Sequence, residues 1–565
     1  MRLLDSRRLT GPNLLWERPG AIIDVDFGRR SPDLVIAAWE SEVRRLLDDI
    51  GWQDEATCVR RYEGGASLAI SAPVDALYTA TEINDAAWDA VQDLLEGGHR
   101  QLLRRVARQL RAEVRDEERP RLQRLLATAR RHAVPIVLDS REVSLGLGRY
   151  SQCWELGAVP HPDDVDWSAL GSIPVGLVTG TNGKTTTVRM MAAIGQASGA
   201  VTGVSSTDWL SVGGAVVERD DYAGPEGARR ILRSPECELA VLETARGGLL
   251  RRGLAVEHAN AALITNIASD HLGEFGVQTL DQLADVKWVV TRALDARSQL
   301  VLNADDPLLV ARAPTAPCPI TWFSPDPRQR VLRAHAAAGG RTCTLRRGRI
   351  VLCEGNEVTP VVAIKRIPLC FGGLAQHNVA NALGAAALAW SLGVPPTAIA
   401  EGLEAMQASD NPGRGNFYTI DGVTVLLDFA HNPHGMRAVA AMTAGLEASR
   451  RLLIIGQAGD RSDADIEQFA QATTGHRFER IIIKRLAKYN RGRADGEAAA
   501  LLKQAFRQLG YGAGQLREAA TEVGALRSAL RWAEPGDLVL CLAHEDRDGV
   551  RTLLEKLAQR SAATG

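Results

Sequence analysis

Lys184 and Thr185 close the run Ile173-Pro-Val-Gly-Leu-Val-Thr-Gly-Thr-Asn-Gly-Lys-Thr-Thr-Thr187, and the chemistry such a run can do is phosphate binding. A lysine ammonium bridges β- and γ-phosphates, and a threonine hydroxyl sits on Mg²⁺. Gly180 and Gly183 let the main chain approach phosphates with no Cβ in the way. Successive N–H groups at a helix start converge on an anion that the helix dipole favours. Gly180, Thr181, Asn182, Gly183, Lys184, Thr185 and Thr186 are therefore the expected nucleotide contacts. A bare Gly-Lys-Thr would read as a surface turn. Here an apolar run, Ile173 to Val178, precedes it and a helical run, Val188 to Ile194, follows, which is the layout of a phosphate-binding loop.

Further groups stand where strands end, the edge at which open α/β sheets bind ligands. Glu243 ends an apolar run, and a carboxylate there can hold Mg²⁺ directly or through water. Asp270 and His271 follow the next run, Ala262 to Thr265. Lys287 lies on a helix, where a lysine is ordinarily a solvated charge. Asn378 and Asn381 stand at i and i+3 of one helix, a spacing able to read an adenine edge. Asp428 is placed to accept from ribose hydroxyls, and Arg414 to reach a phosphate in bidentate fashion.

The elements that position these groups form three units. Residues 1–165 read as α+β, with a strand at Ala21–Phe27, a helix over Leu34–Ile50 and helical spacing from Ala87 to Ala133 broken near Pro120. Its segment from Arg100 to Arg131 is rich in arginine, over a buried stripe of Leu102, Leu103, Val106, Leu110 and Val114. A solvated face is the expectation there, ahead of a polyanion site. Residues 166–413 alternate strand and helix, with strands at Leu239–Leu242 and Leu300–Leu302, helices at Thr279–Ala293 and Asn378–Trp390, and a hairpin from Arg341 to Val358. Asn411-Pro-Gly413 is the expected hinge to residues 414–565, where strands at Val423–Asp428, Arg451–Ile455, Arg480–Ile483 and Leu538–Leu542 form a second doubly wound α/β unit.

The 565 residues exceed what one core holds. With 66 basic against 68 acidic residues, no global field points to nucleic acid or a membrane. Eight cysteines without Cys-x-x-Cys spacing indicate neither zinc nor a disulfide framework, and a Cys343–Cys353 bridge across the hairpin is only a conjecture. The N-terminus lacks the apolar core of a signal peptide, and no apolar run is long enough to span a membrane, so the expectation is a cytoplasmic protein.

The order of these motifs resembles that of the Mur ligase superfamily: the Thr179–Thr186 loop, Glu243, Asp270-His271, Lys287, Asn303-Ala-Asp-Asp-Pro307, His377-Asn-x-x-Asn381, Pro412-Gly-Arg414 and Asp428-x-Ala-His-Asn-Pro433. Ser206-Thr-Asp208, Asp221-Tyr-Ala-Gly-Pro225, Gly459-Asp-Arg461 and Arg491-Gly-Arg493 give it the look of the Mur-like half of the cyanophycin synthetases. Leu9-Thr-Gly-Pro-Asn13 and Glu142-Val-Ser-Leu-Gly146 extend that likeness to the first unit. The ATP-grasp domain that separates the two parts in those synthetases has no counterpart, so this chain is not expected to build a polyaspartate backbone.

The resemblance implies an ATP-dependent amide or isopeptide ligase. A carboxylate acceptor becomes an acyl phosphate, and an amine or amino acid then displaces phosphate. It implies ATP and Mg²⁺, with Thr185 and Glu243 on one metal and His271 on a second. Lys184, Glu243, His271 and a carbamylated Lys287 would be the catalytic set. Asn378 and Asn381 would meet adenine, Asp428 ribose, Arg414 the phosphates, and Asn303 and Asp305 the nucleotide edge. Asp208, Arg246 and His431 are the candidate substrate contacts. Trp209 stands where the family often has glycine, which leaves arginine as the amine undecided. The resemblance also suggests a homo-oligomer. An ATP-sensing, polymer-binding regulatory subunit and a peptidoglycan- or folate-type ligase are the alternatives.

Overall fold

The computed structural model describes residues 1–96 and 103–564. Arg100 and Leu102, and the side chains of Leu103 and Arg104, lie outside the described residues.

At the N-terminus four antiparallel strands run in the order Arg2–Leu9, Gly20–Asp26, Gly65–Ser71, Thr57–Tyr62. The helix Pro32–Ile50 starts on a proline, which forfeits no hydrogen bond at that position. It buries Val35, Trp39, Val43, Leu46 and Ile50 at helical spacing and ends where Gly51 turns left-handed at φ 95°. Leu77–Glu96 shares its core. The expected helical stretch to Ala133 continues as Leu103–Glu117 and Pro120–Arg131, with Pro120 opening the second of these rather than kinking it. Leu110 and Val114 are buried, while Arg105, Arg108, Arg111, Arg115, Arg121 and Arg124 are exposed.

A small sheet, Ile136–Leu138, Glu142–Leu145 and Gln152–Glu155, leads directly into the central sheet. That central sheet has 11 strands. It runs parallel from Thr202–Ser205 through Leu239–Glu243, Val175–Thr179, Ala261–Ile264, Gln299–Asn303 and Ile320–Ser324 to Arg341–Arg346. Side chains alternate between two cores. Val175 and Leu177 face the helices Pro225–Leu232, Arg246–Arg251 and Leu280–Trp288, and Val178 faces Lys184–Ala197, Gln376–Ser391 and Pro396–Ala405. The expected helix at Thr279–Ala293 is α-helical over Leu280–Trp288 and tightens to 3-10 over Val289–Ala293.

The expected hairpin is larger than read. Arg341–Arg346, Arg349–Glu354 and Glu357–Ala363 form an antiparallel extension of the central sheet. No disulfide crosses it: Cys343 pairs with Leu352 and Cys353 with Thr342, so the two cysteines are out of register, and both thiols are free.

The C-terminal sheet runs Asn416–Ile420, Val423–Asp428, Leu538–Leu542, Arg451–Ile455, Arg480–Lys484, Leu516–Ala519, parallel except for its first strand. Of the three bodies, the central and C-terminal ones enclose one crevice between them. The N-terminal body is seated on the central one through Leu9-Thr-Gly-Pro-Asn13. Thr10 N donates to Arg252 O at 2.8 Å and Leu254 N to Pro12 O at 2.7 Å. A Cβ on Gly11 would stand 2.3 Å from Leu254 O, which is why glycine is needed there. Among the described residues no helix is long and apolar enough to cross a membrane.

Candidate active site

The central strand Val175–Thr179 ends in the loop that starts the helix Lys184–Ala197. Gly180 at φ 142° and Gly183 at φ 87° give the loop its turn. The loop packs so tightly that a Cβ on Gly180 would meet Thr265 Oγ1 at 1.9 Å, and one on Gly183 would meet Asn381 Oδ1 at 2.2 Å. Thr181 N donates to Asn266 O at 2.9 Å, and Asn182 N to Asn266 Oδ1 at 3.0 Å. Lys184 Nζ donates back to Thr181 O at 3.0 Å. Asn303 Nδ2 donates to Thr265 O at 3.0 Å, supporting the neighbouring strand end, whereas Asp305 accepts from Ser324 outside the crevice.

Glu243 is buried at 1% exposure and accepts from Thr207 Oγ1 at 2.7 Å and Thr185 Oγ1 at 3.1 Å. A buried carboxylate whose hydrogen bonds come only from neutral donors suits a hard divalent cation. Lys287 overturns its reading as a solvated charge. It is 3% exposed, and its Nζ donates to Gly180 O at 2.8 Å, behind the phosphate loop. Burial, with Lys184 as the next contribution, holds its pKa well below the ordinary lysine value. This shift favours the unprotonated amine, the form that reacts with CO₂.

His271 takes a left-handed φ of 51°. Its Nδ1 lies 3.5 Å from Asp460 Oδ2 and 3.9 Å from Glu274 Oε1. Among the described residues these three side chains form the group able to share a metal ion, their ligand atoms lying within 4.8 Å of one another. Arg461 Nη2 stands 3.1 Å from His271 Nε2 and 2.8 Å from Asp270 Oδ1, so a positive charge already suits this spot. Asp460 Oδ1 is buried with no hydrogen-bond partner among the described residues. The expected metal residues therefore fall into two groups, Thr185 with Glu243 and His271 with Glu274 and Asp460. The second group joins the central and C-terminal bodies.

Asp208 accepts from Arg414 Nη1 and Arg547 Nη1, each at 2.7 Å, and from Arg189. Burial pushes its carboxyl up, but the three guanidinia outweigh this and hold it below the usual carboxylate range. Arg414 also lies 3.5 Å from Thr185 Oγ1, next to the phosphate loop. Trp209 is stacked under Arg189, 4.1 Å from ring centroid to guanidinium. Arg246 is engaged by Glu274 at 2.8 Å.

Asp428 accepts Gly415 N at 2.9 Å and Ala430 N at 2.8 Å, and burial raises its pKa despite nearby His377. His431 Nε2 is 3.6 Å from Asp270 Oδ2. Asn381 Nδ2 donates to Asn378 Oδ1 at 3.2 Å, and Asn378 Nδ2 to Leu369 O at 2.9 Å, so this amide pair also wedges its helix against Gly183. Every residue singled out as a site candidate except Asp305 lines one cavity of about 1470 Å³. Sequence reasoning missed Thr207, Arg189, Arg547, Glu274 and Asn432. Glu274 carried a signal, three residues after His271, and Thr207 and Asn432 stand inside quoted motifs without having been given a role. Arg189 and Arg547 acquire their partner Asp208 only through the fold.

Residues 178–389 match the Mur ligase middle domain, and residues 413–544 match the Mur ligase, glutamate ligase domain. The chain belongs to the Mur ligase family. Among curated Mur-type relatives, the cyanophycin synthetase of Synechocystis sp. is 37% identical over 370 residues, which is 65% of this chain and 42% of that protein. The cyanophycin synthetase of Nostoc sp. is 34% identical over 402 residues, 70% of this chain and 44% of that protein. This chain thus spans about two-fifths of the length of these relatives. A UDP-N-acetylmuramoyl-L-alanyl-D-glutamate–2,6-diaminopimelate ligase of Syntrophomonas wolfei is 27% identical over 303 residues, 51% of this chain and 57% of that ligase. Among solved structures, the bifunctional folylpolyglutamate synthase/dihydrofolate synthase of Yersinia pestis, complexed with AMPPNP and Mn ion, superposes with TM-score 0.50 at 18% identity, covering 68% of this chain and 88% of that one. It shares the Mur ligase fold.

Proposed function

We propose that this chain is an ATP-dependent ligase that joins an acceptor carboxylate to an amine. The observation carrying this reading is the convergence in one crevice of the phosphate loop, the buried Glu243 carboxylate, the His271–Glu274–Asp460 cluster and a second lobe. In the reaction, a carboxylate oxygen attacks the γ-phosphorus, the bond to the ADP oxygen breaks and an acyl phosphate forms. The amine nitrogen then attacks the acyl carbon, expels phosphate and releases a proton.

The domains in this reading are residues 1–165, 166–413 and 414–565. Lys184 leaves Thr181 O to meet the γ-phosphate, and the N–H groups of residues 181–186 cradle the phosphate oxygens. Thr185 and Glu243 would hold one Mg²⁺, and His271 with Glu274 and Asp460 would hold a second; bound there, the ions would neutralise charge where carboxylate and triphosphate repel. Lys287, as a carbamate, would support a metal in this reading. Asn378 and Asn381 flank adenine, and Asp428 orients ribose. Arg414 carries charge between Asp208 and the phosphates. Arg246 and His431 lie on the acceptor side.

The cyanophycin synthetase relatives favour an aspartyl peptide or similar carboxylate polymer as acceptor and an amino acid as amine. In this reading a partner enzyme supplies the acceptor backbone. A cytoplasmic homo-oligomer fits this role. The test is phosphate release screened across carboxylates and amino acids. Release that requires both supports the ligase, and release indifferent to both sinks it.

A further inference from the structure

We propose that the N-terminal body sets the shape of the loop carrying His271 and Glu274, with Arg60 as its positioning residue. This rests on the reading of those two side chains as cation ligands. The loop is conformationally costly. His271 at φ 51° and Phe275 at φ 52° are left-handed without being glycine, and Gly273 at φ 100° and Gly276 at φ 64° lie between and beside them. Such a backbone persists only where its surroundings over-determine it.

Those surroundings belong to another body. Arg60, on the strand Thr57–Tyr62, donates from Nη2 to Phe275 O at 2.6 Å and from Nη1 to Gly276 O at 3.1 Å. The planar fork of one guanidinium thereby fixes two successive carbonyls, which a lysine cannot do. Arg60 is itself oriented by Ser67 Oγ at 3.2 Å, and Ser67 Oγ donates to Asp24 Oδ1 at 2.6 Å. Asp24 Oδ2 accepts from Arg7 Nη1 at 2.6 Å, and Arg7 covers the Phe275 ring at 4.7 Å. The Tyr62 ring fills the space in which a Gly276 Cβ would sit, 2.2 Å away. Glu63 and Gln278 exchange backbone–amide bonds at 3.1 and 3.2 Å. From inside the crevice, Arg246 also holds the loop, on Glu274 at 2.8 Å and on its carbonyl at 3.2 Å. The N-terminal body therefore serves as outer support to a cation site to which it contributes no ligand.

The experiment uses the full chain with Arg60→Ala, Arg60→Lys and, should Arg60→Ala fail to fold, Gln278→Ala. Arg61→Ala is the control, since Arg61 pairs with Asp33 away from the loop. Two readouts need no ligation: amide hydrogen exchange of residues 270–278, and Mn²⁺ binding followed by the resonance of the free ion. Expected are faster exchange confined to that loop and weakening of one class of Mn²⁺ site by about tenfold. Arg60→Lys should restore only part of either, and Arg61→Ala should change neither. Unchanged exchange, or faster exchange with undiminished Mn²⁺ affinity, overturns the proposal. A wild-type chain that binds no Mn²⁺ overturns the cation reading beneath it, and intact Mn²⁺ effects without any ligation would sink the ligase reading alone.

Discussion

Lys184 bonds to a carbonyl of its own loop, a contact that a phosphate oxygen replaces at little cost. Lys184→Ala should lower carboxylate-dependent phosphate release by about 10²–10³-fold, the scale of losing one preorganised charge contact. Near-normal turnover would refute the assignment. Lys287 behaves differently, because its folded pKa lies below its unfolded one. Over the interval between the two, the unfolded chain binds the extra proton, so stability rises with pH there. Lys287→Met should flatten that rise in thermal melts taken from neutral to alkaline pH; a parallel pair of curves would contradict it. Lys184 and Glu243 were legible because a loop and a strand end declare themselves in sequence. The burial of Lys287 was not, since nothing in the helix Leu280–Trp288 marks which side faces Gly180.

At the scale of elements, the fit between the phosphate loop and the helix Gln376–Ser391 leaves no room for a methyl group. Gly183→Ala should abolish nucleotide retention and cost about 1–3 kcal/mol of stability, from the left-handed backbone and from the clash with Asn381. Calorimetry with ATP and a denaturant melt would check both. The C-terminal sheet holds a second constraint. Lys484 is fully buried and paired with Glu522, whose carboxylate also accepts His544 N at 2.7 Å and Asp546 N at 2.6 Å. Burial raises the Glu522 pKa, but Lys484 prevails and brings it to about 2 from 4.5. Its contribution is complete above about 4.5 and is lost as pH falls through about 2. Glu522→Gln should destabilise the chain at neutral pH and remove that part of the acid transition in pH-dependent melts. Strand positions in both sheets were readable from apolar runs bounded by turns. The antiparallel edge at Glu357–Ala363 was not, because its first four residues are exposed and its apolar run begins only at Val361.

Across the whole molecule, Asp208 gathers arginines from the phosphate-loop helix, the hinge and the C-terminal helix Arg547–Thr564. Asp208→Asn should leave three guanidinia close together and open the lobes, seen as a larger radius of gyration in X-ray scattering and faster proteolysis near residues 411–415. An unchanged profile would mean that the cluster does not bind the lobes. Such a cluster is invisible in a linear reading, since Asp208 and Arg547 are 339 positions apart.

Asn182 and Asn432 exchange amide hydrogen bonds at 3.1 and 3.0 Å, tying the phosphate loop to the far lobe. The side chain of Asn182 thus grips the opposite lobe while its main chain belongs to the nucleotide cradle. Any ligand that favours one geometry of that cradle must alter lobe docking by a given factor, and docking must return the same factor in ligand affinity. Asn432→Ala would therefore be felt as weaker nucleotide affinity by a residue that need never touch the nucleotide.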